Sequence, residues 1–378
     1  MIESTTVVGV GTGIRVVCQR DELVSRLGIV ARAVSTRANV QILAGILLRA
    51  EAGRLHLAAT DMELSLRASL DAQVGEEGSV VVPGRLLVDL ARLLPADDVT
   101  LEHHPEAGAL RISCGATNYS LHTYAAEDFP RLPDVDALPL SSIDRDALLD
   151  TVSRVARSAS RDESRPVLTG ILVRFERGKL VMAATESYRL SVKETELDGD
   201  SPELEAIVPA RALSELGRVA QGADDVELGV QENQVVFAAD GVWLTTRRID
   251  GQFPNYKQLL PESFEHELTL PRTELLDVVR RTAVMAQRNT PLRLRFAEGE
   301  LTVSAQTQDI GEARESMPVG FTGEPMEIGF NAEFLRDGLE SVESEEVRLR
   351  LISPLRPAVI AGASGDFTYL IMPIRLAG

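Results

Sequence analysis

The chain is poor in the residues from which most reactive sites are built. Two cysteines, Cys18 and Cys114, are too few for a disulfide framework in 378 residues. Neither has a partner at metal-ligand spacing, so both read as reduced, buried thiols. The five histidines (His56, His103, His104, His122 and His266) contain no pair at zinc spacing. No Gly-x-Ser-x-Gly elbow occurs, and GVGTG at 9–13 lacks the Lys-Ser/Thr that completes a phosphate loop, so it reads as a turn. No catalytic residue, metal or cofactor is expected. Apolar runs stay short of eighteen residues and the N-terminus carries no basic leader. Neither a membrane span nor a signal peptide is therefore expected, and the expected location is cytoplasmic. Lysine is nearly absent, at 179, 193 and 257 only, so the 39 basic residues are almost all arginine; against 57 acids they leave a formal charge of −18. A polyanion could be held only by a local basic surface.

What remains is the composition of a globular protein. Hydrophobic residues at 44% and charged residues at 25% exclude disorder, collagen and coiled coil as the main architecture. The length predicts two or three domains.

The text of the chain recurs three times. LVSRLGIVARAVSTR at 23–37 is answered by LLDTVSRVARSASR at 148–161 and LLDVVRRTAVMAQR at 275–288. VPGRLLVDLARLLPADDVTLE at 82–102 returns as VPARALSELGRVAQGADDVELG at 208–229 and, more loosely, as FNAEFLRDGLESVESEEVRLRL at 330–351. LHLAATDMELSLRA at 55–68 matches LVMAATESYRLSVKE at 180–194, with LTVSAQTQDIGEARE at 301–315 as the third copy; EDFPRLP at 127–133 matches GQFPNYKQLLP at 251–261. Landmarks in one order at a period near 125 indicate tandem duplication of a whole domain, too long for a solenoid unit. The expected domains are 1–137, 138–266 and 267–378.

Within the first copy, Leu23, Leu27, Val30 and Val34 share a helical face, with Asp21 and Glu22 in the first turn. Strands are predicted over 42–50, 54–59, 64–70 and 79–82, a second helix over 84–94 ending at Pro95, and strands near 99–103, 110–113 and 119–122. The fold class is α+β, each copy having two helices on two small antiparallel sheets with an internal half-repeat. Arginine marks the outward face of the first helices: Arg26, Arg32 and Arg37; Arg154, Arg157, Arg161 and Arg165; Arg280, Arg281 and Arg288. Arginine segregated to one place in an acidic chain suits a surface that tracks phosphates without reading sequence. No aromatic stacking platform accompanies it.

The threefold repeat, the AAT turns at 58–60 and 183–185, RPVLTGILVRF at 165–175, ATESYRL at 184–190, GQFPNYKQLLP, GFNAEFL at 329–335 and the closing MPIRL at 372–376 together resemble the bacterial DNA sliding clamp family, the beta subunit of DNA polymerase III. The resemblance runs from about Ile14 to Leu376. It implies a non-catalytic processivity factor, with two chains joined head to tail as a ring of six domains around double-stranded DNA, helices lining the hole. Its implied partners are DNA, the replicative polymerase, the clamp loader and other proteins bearing short clamp-binding motifs. DNA contacts would fall to Arg37 and Arg165, with Arg161 and Arg288 added from the arginine pattern. A peptide pocket would have its floor in Leu168, Thr185, Ser187, Leu190, Pro254, Leu259, Leu370 and Met372. Its shallower part would use Tyr188, Asn331, Phe334, Leu355, Pro373, Ile374 and Arg375. The dimer interface would bring Met285 to Tyr119 of the other chain. The chain departs from the family at Glu186-Ser187-Tyr188, where many relatives have glycine and then histidine or arginine, and at Ala377 and Gly378, which extend the usual tail. The competing reading is a peptide-binding scaffold of this fold that does not encircle DNA.

Overall fold

In the computed structural model the described residues are 13–35, 40–135, 138–176, 178–197, 204–231, 233–286, 290–308 and 310–376. The first copy runs β1 (Ile14–Gln19), α1 (Arg20–Val30), β2 (Gly45–Glu51), β3 (Arg54–Thr60), β4 (Leu64–Asp71), β5 (Gln73–Glu76), β6 (Gly78–Pro83), α2 (Gly84–Leu93), β7 (Asp98–His104), β8 (Ala109–Cys114) and β9 (Thr117–His122). The second runs β10 (Leu140–Asp144), α3 (Arg145–Val155), α4 (Pro166–Thr169), β11 (Gly170–Glu176), β12 (Lys179–Thr185), β13 (Arg189–Glu196), β14 (Glu205–Pro209), α5 (Ala210–Val219), β15 (Asp225–Gln231), β16 (Gln234–Ala239) and β17 (Val242–Arg247). The third runs β18 (His266–Pro271), α6 (Arg272–Ala283), β19 (Leu292–Ala297), β20 (Glu300–Thr307), β21 (Gly311–Pro318), β22 (Met326–Phe330), α7 (Ala332–Glu340), β23 (Glu346–Leu351), β24 (Ala358–Ala361) and β25 (Phe367–Ile371).

Local chemistry accounts for the helices. In α2, Leu87, Val88 and Ala91 turn inward one helical turn apart, and the helix stops short of Pro95, whose ring disfavours a helical residue before it. In α7 the Asn331 side chain caps the first turn by accepting from the Phe334 N–H at 3.1 Å. The strands alternate as half-buried strands must; β7 reads buried at Val99, Leu101 and His103 and open between them.

The sheets differ from the expectation of two small ones per copy. Their orders are β5-β1-β7-β8-β9, β10-β15-β16-β17-β4-β3-β2-β6, β14-β11-β12-β13-β25-β24-β23-β18 and β21-β20-β19-β22. The half-repeat is nonetheless plain. Six sets of four strands share one order, a trio of consecutive strands plus the strand that precedes a helix. The two eight-stranded sheets each fuse a set from one copy with a set from the next, through β4 against β17 and β13 against β25. Backbone pairing between copies was invisible in the sequence because a strand's edge carries no composition of its own.

The chain packs as two compact units. One comprises residues up to 145 with 215–248; the other comprises 146–214 with 249–378. In the second unit a core of buried side chains includes Phe296, Phe321, Phe330 and Tyr369, with α6 and α7 laid on the sheets through Leu275, Val279, Leu335 and Leu339. Gly338 lets α7 lie directly on Tyr369, for a Cβ there would come within 2.5 Å of the ring.

Candidate functional site

The pocket residues expected from the sequence all lie in the second unit and form two groups. In the first, Thr185 closes β12 opposite Leu190, and Leu190 pairs across to Leu370. Leu190 and Leu370 are buried in one apolar cluster with Leu172, Val181, Ala183, Val192, Tyr256 and Val359. Thr185 is buried and its hydroxyl donates to the Arg189 carbonyl at 2.9 Å, which holds the turn 186–188 tight. Leu168 lies in the single-turn helix α4, its carbonyl accepting from Ser160 N at 2.8 Å, and is half-buried. Pro254 lies in the strap 251–261, where its carbonyl accepts from Tyr256 N at 2.7 Å. Leu259, expected in the floor, is 49% exposed; Tyr256, which the sequence reading passed over, is 6% exposed and packs on the sheet instead. Tyr256 opens the 3₁₀ turn Tyr256–Leu259 against the sheet, and the next residue of the strap to pack there is Leu260, which leaves Leu259 facing out.

The second group surrounds Phe334. Its carbonyl accepts from the Tyr369 hydroxyl at 2.8 Å, and the Arg189 guanidinium lies 4.2 Å over its ring. Asn331 caps the helix that carries it. Arg189 is itself buried, donating to Glu186 at 2.7 Å and to Asp337 at 2.6 Å. Burial pushes the Tyr369 phenol well above its ordinary range, against the opposing pull of the Arg189 charge. Arg189 thus ties the 186–188 turn to α7; its signal in the sequence was a lone arginine at the head of an apolar strand. Tyr188 is exposed while its carbonyl receives Met372 N at 2.8 Å.

The segment 372–376 is anchored. Ile374 N donates to Gly329 O at 2.8 Å, and a Cβ on Gly329 would meet the Leu376 side chain at 2.6 Å. Met372 and Arg375 remain exposed, and Pro373 half-buried. Leu355 is exposed in the turn between β23 and β24.

Of the arginines expected to meet DNA, Arg37 and Arg288 lie outside the described residues. Arg161 is exposed on the segment after α3 and makes no ion pair among the described residues. Arg165 donates to Asp162 at 2.9 Å and to the Ser187 hydroxyl at 2.6 Å, so it joins the pocket turn. Hydrogen bonds from Ser164, with that of Arg165, hold the Asp162 carboxyl below its usual range.

The outward arginine face expected of the first helices needs correction. Arg154 is buried, bonded to Asp150 at 2.7 Å, Glu343 at 2.7 Å and the Ser341 carbonyl at 2.8 Å. Arg157 and Arg280 both bond Glu340, the latter at 2.8 Å, and Arg281 grips Glu315 at 2.7 Å. In the first unit Arg32 pairs with Glu215. Burial acts to raise the Glu340 pKa, but hydrogen bonds from Arg280 and Arg157 outweigh it and hold the carboxyl below its ordinary value. The partners come from elements remote in sequence, so the charge each arginine presents is largely cancelled by a fixed carboxylate.

Tyr119 lies on β9, an edge strand, and is 42% exposed. Met285 falls beyond the end of α6 and packs against its own core, while its neighbour Val284 is 77% exposed.

Three domain families match the chain in succession: the DNA polymerase III beta subunit N-terminal domain over 14–133, the central domain over 142–255 and the C-terminal domain over 257–375. The beta sliding clamp of Streptomyces coelicolor is 33% identical over 374 residues, spanning 95% of this chain and 99% of that protein. That of Synechococcus elongatus is 36% identical over 374 residues, spanning 96% and 99%. Among solved structures, the C. crescentus beta sliding clamp superimposes with a TM-score of 0.91 at 29% identity, over 97% of this chain and 100% of that one.

Proposed function

Because the chain belongs to the DNA polymerase III beta subunit family, the bacterial sliding clamps, we propose that two copies close head to tail into a ring of six domains around duplex DNA. Within its family the chain is a processivity subunit that performs no chemistry of its own. The domains we assign are 1–137, 138–266 and 267–378.

One observation carries the ring. By the repeat, β4, β13 and β21 are equivalent, as are β17, β25 and β9. Two junctions of this kind exist within the chain: Leu64 to Ala68 against Thr246 to Val242, and Arg189 to Lys193 against Ile371 to Phe367. The third pair, β21 and β9, are both free edges. Carrying the register over puts Gly311 opposite Leu121, Ala313 opposite Tyr119 and Glu315 opposite Thr117 of a second copy. An exposed strand edge is a template for such addition, and a head-to-tail contact closes into a ring when the rotation per subunit allows. Tyr119 then lies in the interface, while Met285 and the more exposed Val284 flank it.

DNA would pass the helices, with Arg37, Arg161, Arg165 and Arg288 as phosphate contacts. Cancelled arginines elsewhere on α3 and α6 suit a surface that must not grip. The polymerase, the loader and other partners would dock short peptides on the two groups around Leu190 and Phe334, burying leucine and aromatic anchors beside Met372.

Sedimentation analysis tests the ring: a species of twice 41.1 kDa is expected, retained on closed circular DNA after loading and lost on linearisation. Equal retention on linear DNA, or a monomer at micromolar concentration, would overturn it.

A further inference from the structure

The internal repeat presents one patch of sheet twice, differently covered. In the second copy, cross-strand neighbours Leu172, Ala183, Val192 and Thr368 form one row on the sheet surface, with Arg174, Val181 and Glu194 in the next. The strap 251–261 lies over them. Tyr256 packs on Leu172, Val181, Ala183 and Val192, and its hydroxyl is 3.4 Å from an Arg174 guanidinium nitrogen.

In the first copy the same rows are Leu47, Ala58, Arg67 and Trp243, then Arg49, His56 and Ser69. The strap here is four residues shorter between its Phe-Pro and its closing proline, Phe129–Pro133 against Phe253–Pro261. Phe129 repeats the packing of Phe253, but Leu132 stands where Tyr256 stands, and among the described residues 129–135 the 3₁₀ turn that carries Tyr256 has no counterpart. The shortfall leaves a groove of about 910 Å³ floored by Leu47, Ala58 and Trp243 and walled by Leu132 and Val135. Arg49, the counterpart of Arg174, and Arg131 stand exposed at its rim. Arg49 pairs with Glu51 on its own strand, at 2.5 Å.

We infer that this groove is a second peptide-docking site. Its occupant is a segment of a partner protein that supplies what the short strap lacks: a tyrosine in a single turn with a leucine four residues on, and a carboxylate beside them. The second copy is the template, since Tyr256 and Leu260 make this pair on the equivalent patch. There Arg174 reaches the tyrosine hydroxyl, as Arg49 would here. Arg49, Arg67 and Arg131 against Glu51 and Glu77 leave the groove one positive charge in excess on a chain of formal charge −18, which favours an acidic segment over a basic one. An aromatic anchor in a preformed slot with a charged rim is the arrangement in which a few side chains carry most of the affinity.

The test uses the full-length protein and an acetylated, amidated peptide DDNYKQLLP. Trp243 is the only tryptophan of the chain, so its emission, excited at 295 nm, reports this groove without a label. A saturable change with submillimolar Kd is expected. Replacing the peptide tyrosine by alanine should weaken binding at least tenfold. Leu132→Tyr fills the groove from within and Arg49→Glu reverses its rim; each should weaken binding at least tenfold, whereas Met372→Ala should not change it. A Trp243 emission that does not move at millimolar peptide would overturn the assignment. So would equal binding of the alanine peptide, or undiminished binding by Arg49→Glu together with a folded Leu132→Tyr.

Discussion

Arg314→Pro offers the sharpest probe of the proposed subunit junction. Along β21 the backbone groups alternate in direction. Val319, just past the strand, donates from N to Gly299 O at 3.0 Å, so Ala313 and Glu315, an even number of residues away, also face β20. Glu312 and Arg314 therefore point their N–H and C=O away from the sheet. The internal junctions agree: Glu194 N, on β13, donates outward to Asp366 O at 2.8 Å. A proline at 314 removes no bond to β20, and edge strands tolerate proline on the open side. Against a second subunit it deletes one donor and wedges a ring into a five-residue ladder. Losing three backbone bonds at a net of about 1 kcal/mol each amounts to about 3 kcal/mol, a dimer roughly a hundredfold weaker. Sedimentation velocity over a dilution series should show monomer where the wild type is dimeric, with an unchanged melting temperature. Ala313→Pro, whose N–H faces β20, should instead lower the melting temperature. An Arg314→Pro protein that dimerises like the wild type refutes the register; Arg314→Ala controls for the lost charge.

Other outcomes follow from the same geometry. Met372→Ala should cost a glutamine-leucine-phenylalanine type peptide about 1–2 kcal/mol by calorimetry, and unchanged affinity would remove Met372 from the pocket wall. Arg189→Met leaves Asp337 with weaker partners in a buried site and should cost about 3 kcal/mol in urea unfolding, which Asp337→Leu should partly restore; a neutral single variant would count against the network. Because the Glu340 carboxyl is depressed in the folded state, the stability it adds is complete above its ordinary value of 4.5 and is lost as pH falls through the depressed one. Wild type should therefore exceed Glu340→Gln in stability at pH 7 and approach it in acid, and a gap that does not narrow as the pH falls would contradict the assignment. Burial, with Glu22 and Asp98 adding to it, pushes the Cys18 thiol up to about 12, so iodoacetamide at pH 8 should spare it until the protein unfolds.

The sequence disclosed most of what depends on neighbours along the chain. The period of Leu23, Leu27 and Val30 yielded α1, the halt at Pro95 bounded α2, and the hairpins from 45 to 83 fell close to their predicted limits. β1 escaped because Ile14–Gln19 is short and its partner, β7, lies some eighty residues on. The pairing of Arg157 with Glu340 was equally illegible, since helical periodicity orders one helix and is silent about which acid another brings to it. At the pocket, the resemblance supplied Leu190 and Leu370, which the backbone does pair. It pointed to Leu259 rather than Tyr256, because which residue of a 3₁₀ turn faces inward depends on the entry angle of the strap. Arg189 was missed for a related reason: only the fold brings Glu186 and Asp337 to the same guanidinium.

The carboxylates beside the arginines of α3 and α6 bear on thermodynamics as well as on charge. An ordinary basic surface holds diffusible anions, and a polyanion that replaces them gains the entropy of many small ions set free. Here the counter-charges are Glu340, shared by Arg157 and Arg280, with Asp337 beside the first and Asp277 beside the second, all covalently part of the protein and unable to leave. A phosphate approaching either arginine exchanges one fixed anion for another and frees little. The affinity of such a face for DNA should depend only shallowly on ionic strength, far less than its number of arginines suggests. Each step along the duplex then trades nearly equivalent contacts, and the energy profile for translocation stays almost level.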